Sequence, residues 1–138
     1  MKEITAYLNF DGNTREAMEF YKTCLGAELA IMTFADSPMK AQVPPGSEKR
    51  VMHARLTKGP LKLMASDTMP GMAFQQGNNF SLALDCETPQ ETEKLFTALS
   101  AGGKVIMPLQ ETFWATRFGM LTDKFGLNWM LDLEKPQH

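Results

Sequence analysis

The sequence predicts an α+β protein built from two tandem βαβββ modules. A pattern of one strand, one helix and three further strands occurs twice along the chain. The helix and second strand of the first copy, EAMEFYKTCLGAELAIM (16–32), align without gaps on ETEKLFTALSAGGKVIM (91–107) in the second copy. This match indicates an internal duplication. We therefore expect a single domain over 1–138 with an internal repeat, 1–70 and 78–135.

The first module has a clear helix between alternating strands. Asn13, with Glu16 three residues later, is an N-terminal capping signature, and Gly26 marks the end of the helix. Apolar and polar residues alternate on both sides, as in half-buried strands. The predicted elements are a strand at 3–10, a helix at 14–25, a strand at 28–35, a Pro- and Gly-containing loop at 36–49, and hairpin strands at 50–58 and 61–67.

The second module repeats this order after the loop TMPGMAFQQGN. The segment TPQE at 88–91 is a capping box with Pro89 at the first helical position, and the helix runs to about Ser100. The predicted strands lie at 79–86, 104–111, 113–121 and 126–133. Each module can bury one sheet face against its own helix, which leaves the other face open.

Composition restricts the classes of function. The net charge is −2 and no run of Lys or Arg exceeds two residues, so the chain lacks the basic stripe of a nucleic-acid groove. No apolar run approaches the ~20 residues of a membrane span, and MKEITAYLNF lacks the continuous apolar stretch of a signal peptide. Cys24 and Cys86 lie outside any C-x-x-C pair, so we expect reduced thiols in a cytoplasmic protein without structural zinc.

Period-two alternation assigns the strand residues to two faces. The predicted core face holds Ile4, Ala6, Leu8, Phe10, Met52, Ala54, Leu56, Phe80, Leu82, Leu84, Leu127, Trp129 and Leu131. The opposite faces of the two curved sheets are expected to enclose a shared cleft. That cleft would be lined by Thr5, Tyr7, His53, Arg55, Asn79, Ser81, Asn128 and Met130, while Val51 and Thr57 also point outward.

Several of these residues suggest ligand binding. An Arg in a cleft, here Arg55, suits an anionic or carboxylate-bearing ligand. His53 is the best candidate for a base or a hydrogen-bond donor, although it could equally be structural. Trp114 could stack on a planar ligand, and Met64 with Met130 could form an adaptable apolar pocket. We identify no nucleophile motif, P-loop or H-E-x-x-H sequence.

A family resemblance rests on four stretches of the chain: AYLNFDGNTREAMEFYKTCLGAEL, VMHARL, LMASDTMPG and MPLQETFWATRFGMLTDKFGLNWML. With these motifs, the chain resembles the glyoxalase, bleomycin-resistance and extradiol-dioxygenase superfamily, also called vicinal oxygen chelate proteins. The closer match is its PhnB-like branch, for which QETFWA…FG…TDKFG…W is specific. The resemblance implies paired βαβββ modules, a homodimer and a small-molecule pocket. Some PhnB-like sequences carry a demethylubiquinone methyltransferase label, but no Gly-rich loop follows the first strand here.

The resemblance also implies four positions for a divalent metal, which superfamily enzymes fill with His and Glu. In this chain they hold Thr5, His53, Asn79 and Met130. A hydroxyl, an amide and a thioether are poor partners for one imidazole around zinc, nickel or manganese. The only other histidine, His138, is the last residue of the sequence. We therefore expect no metal and no other cofactor.

Three functional readings follow. The first is a small-molecule-binding protein on the vicinal oxygen chelate scaffold, without the usual divalent metal. The second is a lyase, isomerase or dioxygenase that either uses a metal with unrecognised ligands or uses His53 as a base. The third is a dimeric module whose open sheet serves only protein association. Whether the protein is an enzyme stays undecided by the sequence, as does the identity of its ligand.

Overall fold

The structure is a computed structural model that describes residues 1–69 and 71–136. The chain separates into two compact units, one ending at Gln75 and the other beginning at Gln76. Each unit has one helix and a four-stranded sheet, which confirms the predicted α+β class with two βαβββ modules. The predicted single domain and its shared cleft stay predictions. Within the described ranges, no helix is long and apolar enough to cross a membrane.

The first unit contains five regular elements in the predicted order. They are β1 (Tyr7–Phe10), α1 (Thr14–Leu25), β2 (Glu28–Thr33), β3 (Val51–Lys58) and β4 (Leu61–Asp67). The strands lie in the order β1-β4-β3-β2, with β1 parallel to β4 and the other neighbours antiparallel. Two short 3-10 turns, Phe34–Asp36 and Lys40–Gln42, lie in the connection between β2 and β3.

The N-terminus of α1 is capped by a residue distant in sequence. Asn13 is the N-cap residue, as predicted, but its side chain makes no capping hydrogen bond. Asp67, at the end of β4, replaces it. Its Oδ1 accepts hydrogen bonds from Gly12 N (2.9 Å), Thr14 N (3.1 Å) and Thr14 Oγ1 (2.7 Å), and its Oδ2 accepts one from Val51 N (2.8 Å). One buried carboxylate thus joins the helix to two strands.

Three face assignments in the first unit are wrong, and one of them is the predicted core residue Ala6, which is exposed. The first strand begins at Tyr7 rather than residue 3, and Ile4 is 96% exposed. The regular pairing of β1 with β4 begins at Tyr7. Val51, predicted to face outward, is 2% exposed because the register with β2 shifts between Met32 and Thr33. A bulge of this kind reverses the alternation at the strand end.

The second unit repeats the topology. It contains β5 (Leu82–Asp85), α2 (Pro89–Ser100), β6 (Lys104–Gln110), β7 (Ala115–Thr122) and β8 (Asn128–Glu134). The strand order is β5-β8-β7-β6, with β5 parallel to β8. The predicted capping box is present, since the side chain of Thr88 accepts a hydrogen bond from Glu91 N at 3.1 Å.

The core of the second unit is centred on β8. Trp129 is 2% exposed, as predicted, and its Nε1 donates to Oδ2 of Asp123 at 2.8 Å. Oδ1 of the same carboxylate accepts from two backbone N–H groups of the turn that precedes β8. Gly119 lies close to α2. A Cβ added at this position would come within 2.8 Å of a ring carbon of Phe96. The prediction that Phe80 belongs to the core is wrong, because Phe80 is 48% exposed and precedes β5.

Candidate functional site

The first unit presents a sheet face that α1 does not cover, which we call the first open face. Tyr7, Met64 and Arg55 lie on adjacent strands in one row of the sheet, because Tyr7 pairs with Met64 and Met64 pairs with Arg55. Ala30 continues the row onto β2. The buried residues Leu8, Ala54, Leu56 and Ala65 alternate with this set along the same strands. The structure therefore brings three predicted site residues of the first module into one row.

His53 lies on this face next to Tyr7. The Tyr7 hydroxyl is 3.4 Å from His53 Nδ1, and the two ring centroids are 5.9 Å apart. Across the sheet His53 is paired with Met32, whose side chain is 43% exposed. The imidazole is therefore oriented by a phenol and remains partly open to solvent. This arrangement can donate or accept a hydrogen bond at the other ring nitrogen.

Arg55 and Thr5 occupy the polar margin of the first open face. Arg55 is exposed. Lys62 forms an ion pair with Glu3, and this contact, helped by the more distant charge of Arg55, lowers the pKa of the Glu3 carboxyl below its usual range. Thr5 is half-buried and precedes β1. The first open face therefore carries cationic side chains beside an imidazole and a phenol.

The second unit also has a sheet face that its helix does not cover, and we call it the second open face. Cross-strand pairing arranges it in three rows. The first row is Thr122 and Asn128, joined by a hydrogen bond of 2.7 Å between Oγ1 and Oδ1. The other two rows are Met120–Met130–Ala83 and Phe118–Asp132–Asp85. The face thus changes from polar, through two thioethers, to an aromatic and acidic end.

Trp114 lies at the aromatic and acidic end. Its ring centroid is 5.3 Å from that of Phe118 and 4.8 Å from that of Phe113. Trp114 is 47% exposed and Phe113 is 89% exposed. Since Phe118 pairs with Asp132, Trp114 belongs to the same sheet face as Met130. Strand alternation alone does not determine which sheet face Trp114 belongs to, because Trp114 precedes β7.

Asp132 is the most perturbed acid of this face. Burial, and then the negative charge of Asp85, raise the pKa of the Asp132 carboxyl, while a hydrogen bond from the Trp114 side chain opposes the shift. Oδ1 of Asp132 is buried and has no hydrogen-bond partner in the described ranges. None of the influences on its pKa comes from a cationic side chain. The carboxylate is thus left without a compensating positive charge.

Four predicted site residues do not lie on a strand: Thr5, Asn79, Ser81 and Trp114. Asn79 and Ser81 are exposed and precede Leu82, the first residue of β5. The strand prediction extended too far towards the N-terminus, so the alternation used for these two residues does not apply. His138, the second histidine, lies outside the described residues. Glu111, near the aromatic pair in sequence, is ion-paired with Lys135 at 3.5 Å.

The four superfamily metal positions are divided between the units. Thr5 and His53 lie in the first unit, and Asn79 and Met130 lie in the second. Throughout the described parts of the chain, no group of three or more His, Cys, Asp or Glu side chains is arranged to hold a metal ion. The donor set at these positions does not fit zinc, nickel or manganese, which bind imidazole and carboxylate ligands.

Sequence reasoning missed four members of the second open face as site residues: Asp85, Phe118, Met120 and Asp132. Asp85 and Asp132 directly follow the predicted core residues Leu84 and Leu131, so strand alternation places them on the opposite face. Phe118 and Met120 required the pairing register of β7 with β8, which the sequence does not give. Cys24 and Cys86 are thiols, as expected, and burial raises the pKa of Cys86.

Comparison with known proteins agrees with the geometry. The profile of the family described as 3-demethylubiquinone-9 3-methyltransferase matches residues 2–131. Protein YjdN of Escherichia coli is 39% identical, and the alignment covers 97% of each chain. The crystal structure of PA1353 from Pseudomonas aeruginosa is 43% identical, with a TM-score of 0.88, and the match covers 99% of this chain and 100% of that one.

Two further structures connect the chain to the broader fold. A PhnB protein from Bacillus cereus is 33% identical, with a TM-score of 0.77 over 96% of this chain and 99% of its own. A glyoxalase/bleomycin resistance protein/dioxygenase family enzyme from Burkholderia phytofirmans shares the fold at 18% identity, with a TM-score of 0.63 over 94% and 98% of the two chains. The chain therefore belongs to the family described as 3-demethylubiquinone-9 3-methyltransferase, and it has the fold of the glyoxalase/bleomycin resistance protein/dioxygenase family enzyme.

Proposed function

We propose that this protein binds a small organic molecule on the open faces of its sheets, without the divalent metal of the superfamily's enzymes. The observation that carries the proposal is the set of side chains at the four metal positions: Thr5, His53, Asn79 and Met130. Only one of them is a good ligand for a borderline divalent ion. A binding role needs the scaffold but not the metal.

The composition of the open faces supports binding of an organic ligand. Ligand sites combine apolar and aromatic surface with a few placed polar groups. The first open face offers a phenol and a thioether beside His53 and Arg55, and the second offers two thioethers and an indole beside carboxylates. Exposed Arg55 suits an anionic group on the ligand, since a guanidinium binds carboxylates through two parallel hydrogen bonds.

Methyl transfer is not the function that the chain supports best. The segment after β1 contains a single glycine, Gly12, rather than a Gly-rich loop. The N-terminus of α1, where such loops present a ligand phosphate or carboxylate, is already occupied by the carboxylate of Asp67. A second negative group there would be repelled.

Metal content is the first test. We expect protein purified without chelator to contain far less than one divalent ion per chain. A near-stoichiometric ion that is lost in a His53→Ala variant, but kept in a Tyr7→Phe variant, would refute the metal-free proposal and favour the metalloenzyme alternative. Tyr7→Phe is the matched control because it disturbs the same contact without removing an imidazole.

Thermal stabilisation is the second test. A ligand that binds only the native state raises the melting temperature, by an amount that corresponds to about 2.7 kcal/mol at 100 times its dissociation constant. We expect organic metabolites to stabilise the protein and divalent ions to have no effect. Stabilisation by an anionic ligand should be lost in Arg55→Gln and kept in Arg15→Gln, a control on the exposed surface of α1. If no metabolite stabilises the protein, the binding proposal fails.

A further inference from the structure

The second open face carries two carboxylates at one end, Asp132 and Asp85, whereas Lys104 lies in the Thr122 row at the other end. Asp132 and Asp85 are paired in register on adjacent parallel strands. The charge of Asp85 is one of the causes that raise the pKa of Asp132, and Asp132 Oδ1 has no hydrogen-bond partner among the described residues. Asp132 is half-buried and Asp85 is exposed. Two neighbouring carboxylates repel each other, and a nearby cation would relieve this repulsion.

The same end of the face presents exposed aromatic rings. Trp114 is 47% exposed and packs edge-on against Phe118, the cross-strand neighbour of Asp132. An indole face attracts a cation within about 6 Å of its centroid, by ~0.5–1 kcal/mol at exposed sites and more when water is excluded. The aromatic and acidic groups therefore favour the same kind of charge.

Apolar surface begins one row further along the sheet. Met120 and Met130 face each other across β7 and β8, and Ala83 is the neighbour of Met130 on β5. Met130 is half-buried, and its neighbour on β5 has only a methyl side chain. Residues two apart on a strand are separated by about 6.6 Å, which is the length of a chain of roughly five methylenes. Thioethers adapt to apolar groups of different shapes.

We propose that the second open face binds an organic cation, an ammonium or similar head group attached to a short apolar chain. The head group lies against Trp114 in the field of Asp132 and Asp85, and the apolar chain lies over Met130 and Met120. This proposal rests on the proposed small-molecule function and specifies the ligand for this face. It also explains the thioether at a superfamily metal position, because Met130 contacts the apolar part of the ligand rather than a metal.

The test compares three probes of equal chain length and different charge: hexylammonium, 1-hexanol and hexanoate at constant ionic strength. Trp114 is the exposed one of the chain's two tryptophans, and Trp129 is buried, so quenching of the exposed fluorescence reports on this face. We expect hexylammonium to bind about tenfold more tightly than 1-hexanol, as a difference of ~1.4 kcal/mol implies. Hexanoate should bind more weakly than 1-hexanol.

Variants separate charge from apolar contact. In an Asp132→Asn, Asp85→Asn double variant, hexylammonium should bind no better than 1-hexanol, while binding of 1-hexanol is kept. Glu93→Gln is the control, since it removes one negative charge on α2, where Glu93 pairs with Arg117 at 3.9 Å. It should leave the preference for hexylammonium over 1-hexanol unchanged. Two-dimensional NMR of the Met130 methyl group locates the apolar chain without relying on the indole.

The outcomes distinguish this proposal from the general one. Equal binding of hexylammonium and 1-hexanol by the unmodified protein would overturn the cation proposal and leave small-molecule binding intact. A preference for hexylammonium that survives in the double variant would also overturn it. Absence of binding by all three probes overturns the cation proposal too. The metabolite screen with Arg55→Gln then decides independently whether the general function fails as well.

Discussion

Removal of the Asp67 side chain should strongly destabilise the first unit. In Asp67→Ala, three buried donors lose their acceptor: Val51 N–H, Thr14 N–H and the Thr14 hydroxyl. Val51 is 2% exposed and Thr14 is fully buried, so water cannot reach them without rearrangement. Each unsatisfied buried donor costs about 1–3 kcal/mol. Gly12 is exposed, and its N–H can return to water at little cost.

Partial relaxation should bring the total to about 3–5 kcal/mol, a large part of the 5–15 kcal/mol that stabilises a typical domain. Asp67→Asn keeps one acceptor oxygen but directs an amide at a donor, so we expect an intermediate loss of about 2–3 kcal/mol. Asp11→Ala is the matched control. Its carboxylate is 60% exposed and pairs with Arg50 on the surface, where such pairs contribute at most ~1 kcal/mol.

Urea denaturation measures these differences. Far-UV circular dichroism follows both units, whereas tryptophan fluorescence follows the second unit alone, because Trp114 and Trp129 both lie there. With a slope of about 1–3 kcal/mol per molar urea, Asp67→Ala should lower the circular-dichroism midpoint by at least ~1 M. The reasoning is refuted if Asp67→Ala and Asp11→Ala are equally stable.

Three further predictions concern single substitutions. Asn13→Ala should change the free energy of unfolding by less than ~0.5 kcal/mol, whereas Thr88→Ala should cost about 1 kcal/mol, because only the threonine caps its helix; urea midpoints that reverse this order would contradict the assignment. Gly119→Ala should cost about 1–3 kcal/mol through overpacking, while Gly77→Ala, whose new Cβ meets its nearest atom at 3.5 Å, should be tolerated, and equal melting temperatures would disprove the contact. Asp132→Asn should stabilise the protein at neutral pH. The pKa of the Asp132 carboxyl in the folded state is raised above its ordinary value of 3.8, so the native state binds the proton more tightly than the unfolded state does. The native state therefore loses stability as the pH rises from 3.8 through the raised pKa, and Asn avoids this loss. The gain from Asn should shrink as the pH falls towards that value, and melting curves across pH that show a constant gain would contradict it.

The fold followed from local signals that tertiary contacts did not override. Both helices begin and end where capping and glycine patterns predicted, at Thr14–Leu25 and Pro89–Ser100. The hairpin strand Leu61–Asp67 has its predicted bounds, because a short turn fixes its register. The first strand of each unit was less predictable: β1 and β5 are each shorter than their alternating sequences.

Some errors arose because a sequence pattern does not contain its partner. The sequence motif at Asn13 marks the start of the helix, but Asp67 is the carboxylate that accepts hydrogen bonds there, from Thr14 N and the Thr14 hydroxyl. Val51 follows the alternation rule in sequence but not in space, because the bulge opposite Thr33 turns it inward. Such competition between local and distant partners is decided only by the packed structure.

In the candidate site, too, the sequence predicts some features, and others depend on how the strands pair. Alternation by itself determined that Tyr7, Arg55, Met64 and Met130 are excluded from the helix-covered core, because every second residue of a strand faces the same way. The identities of Thr5, His53, Asn79 and Met130, at the positions that the family resemblance assigns to a metal, led to the prediction that no metal binds there. Only the tertiary structure placed Trp114 beside Phe118 and Asp132, because that contact depends on the register between two strands and on the course of the segment before β7. Register is a property of pairing, and no single segment carries it.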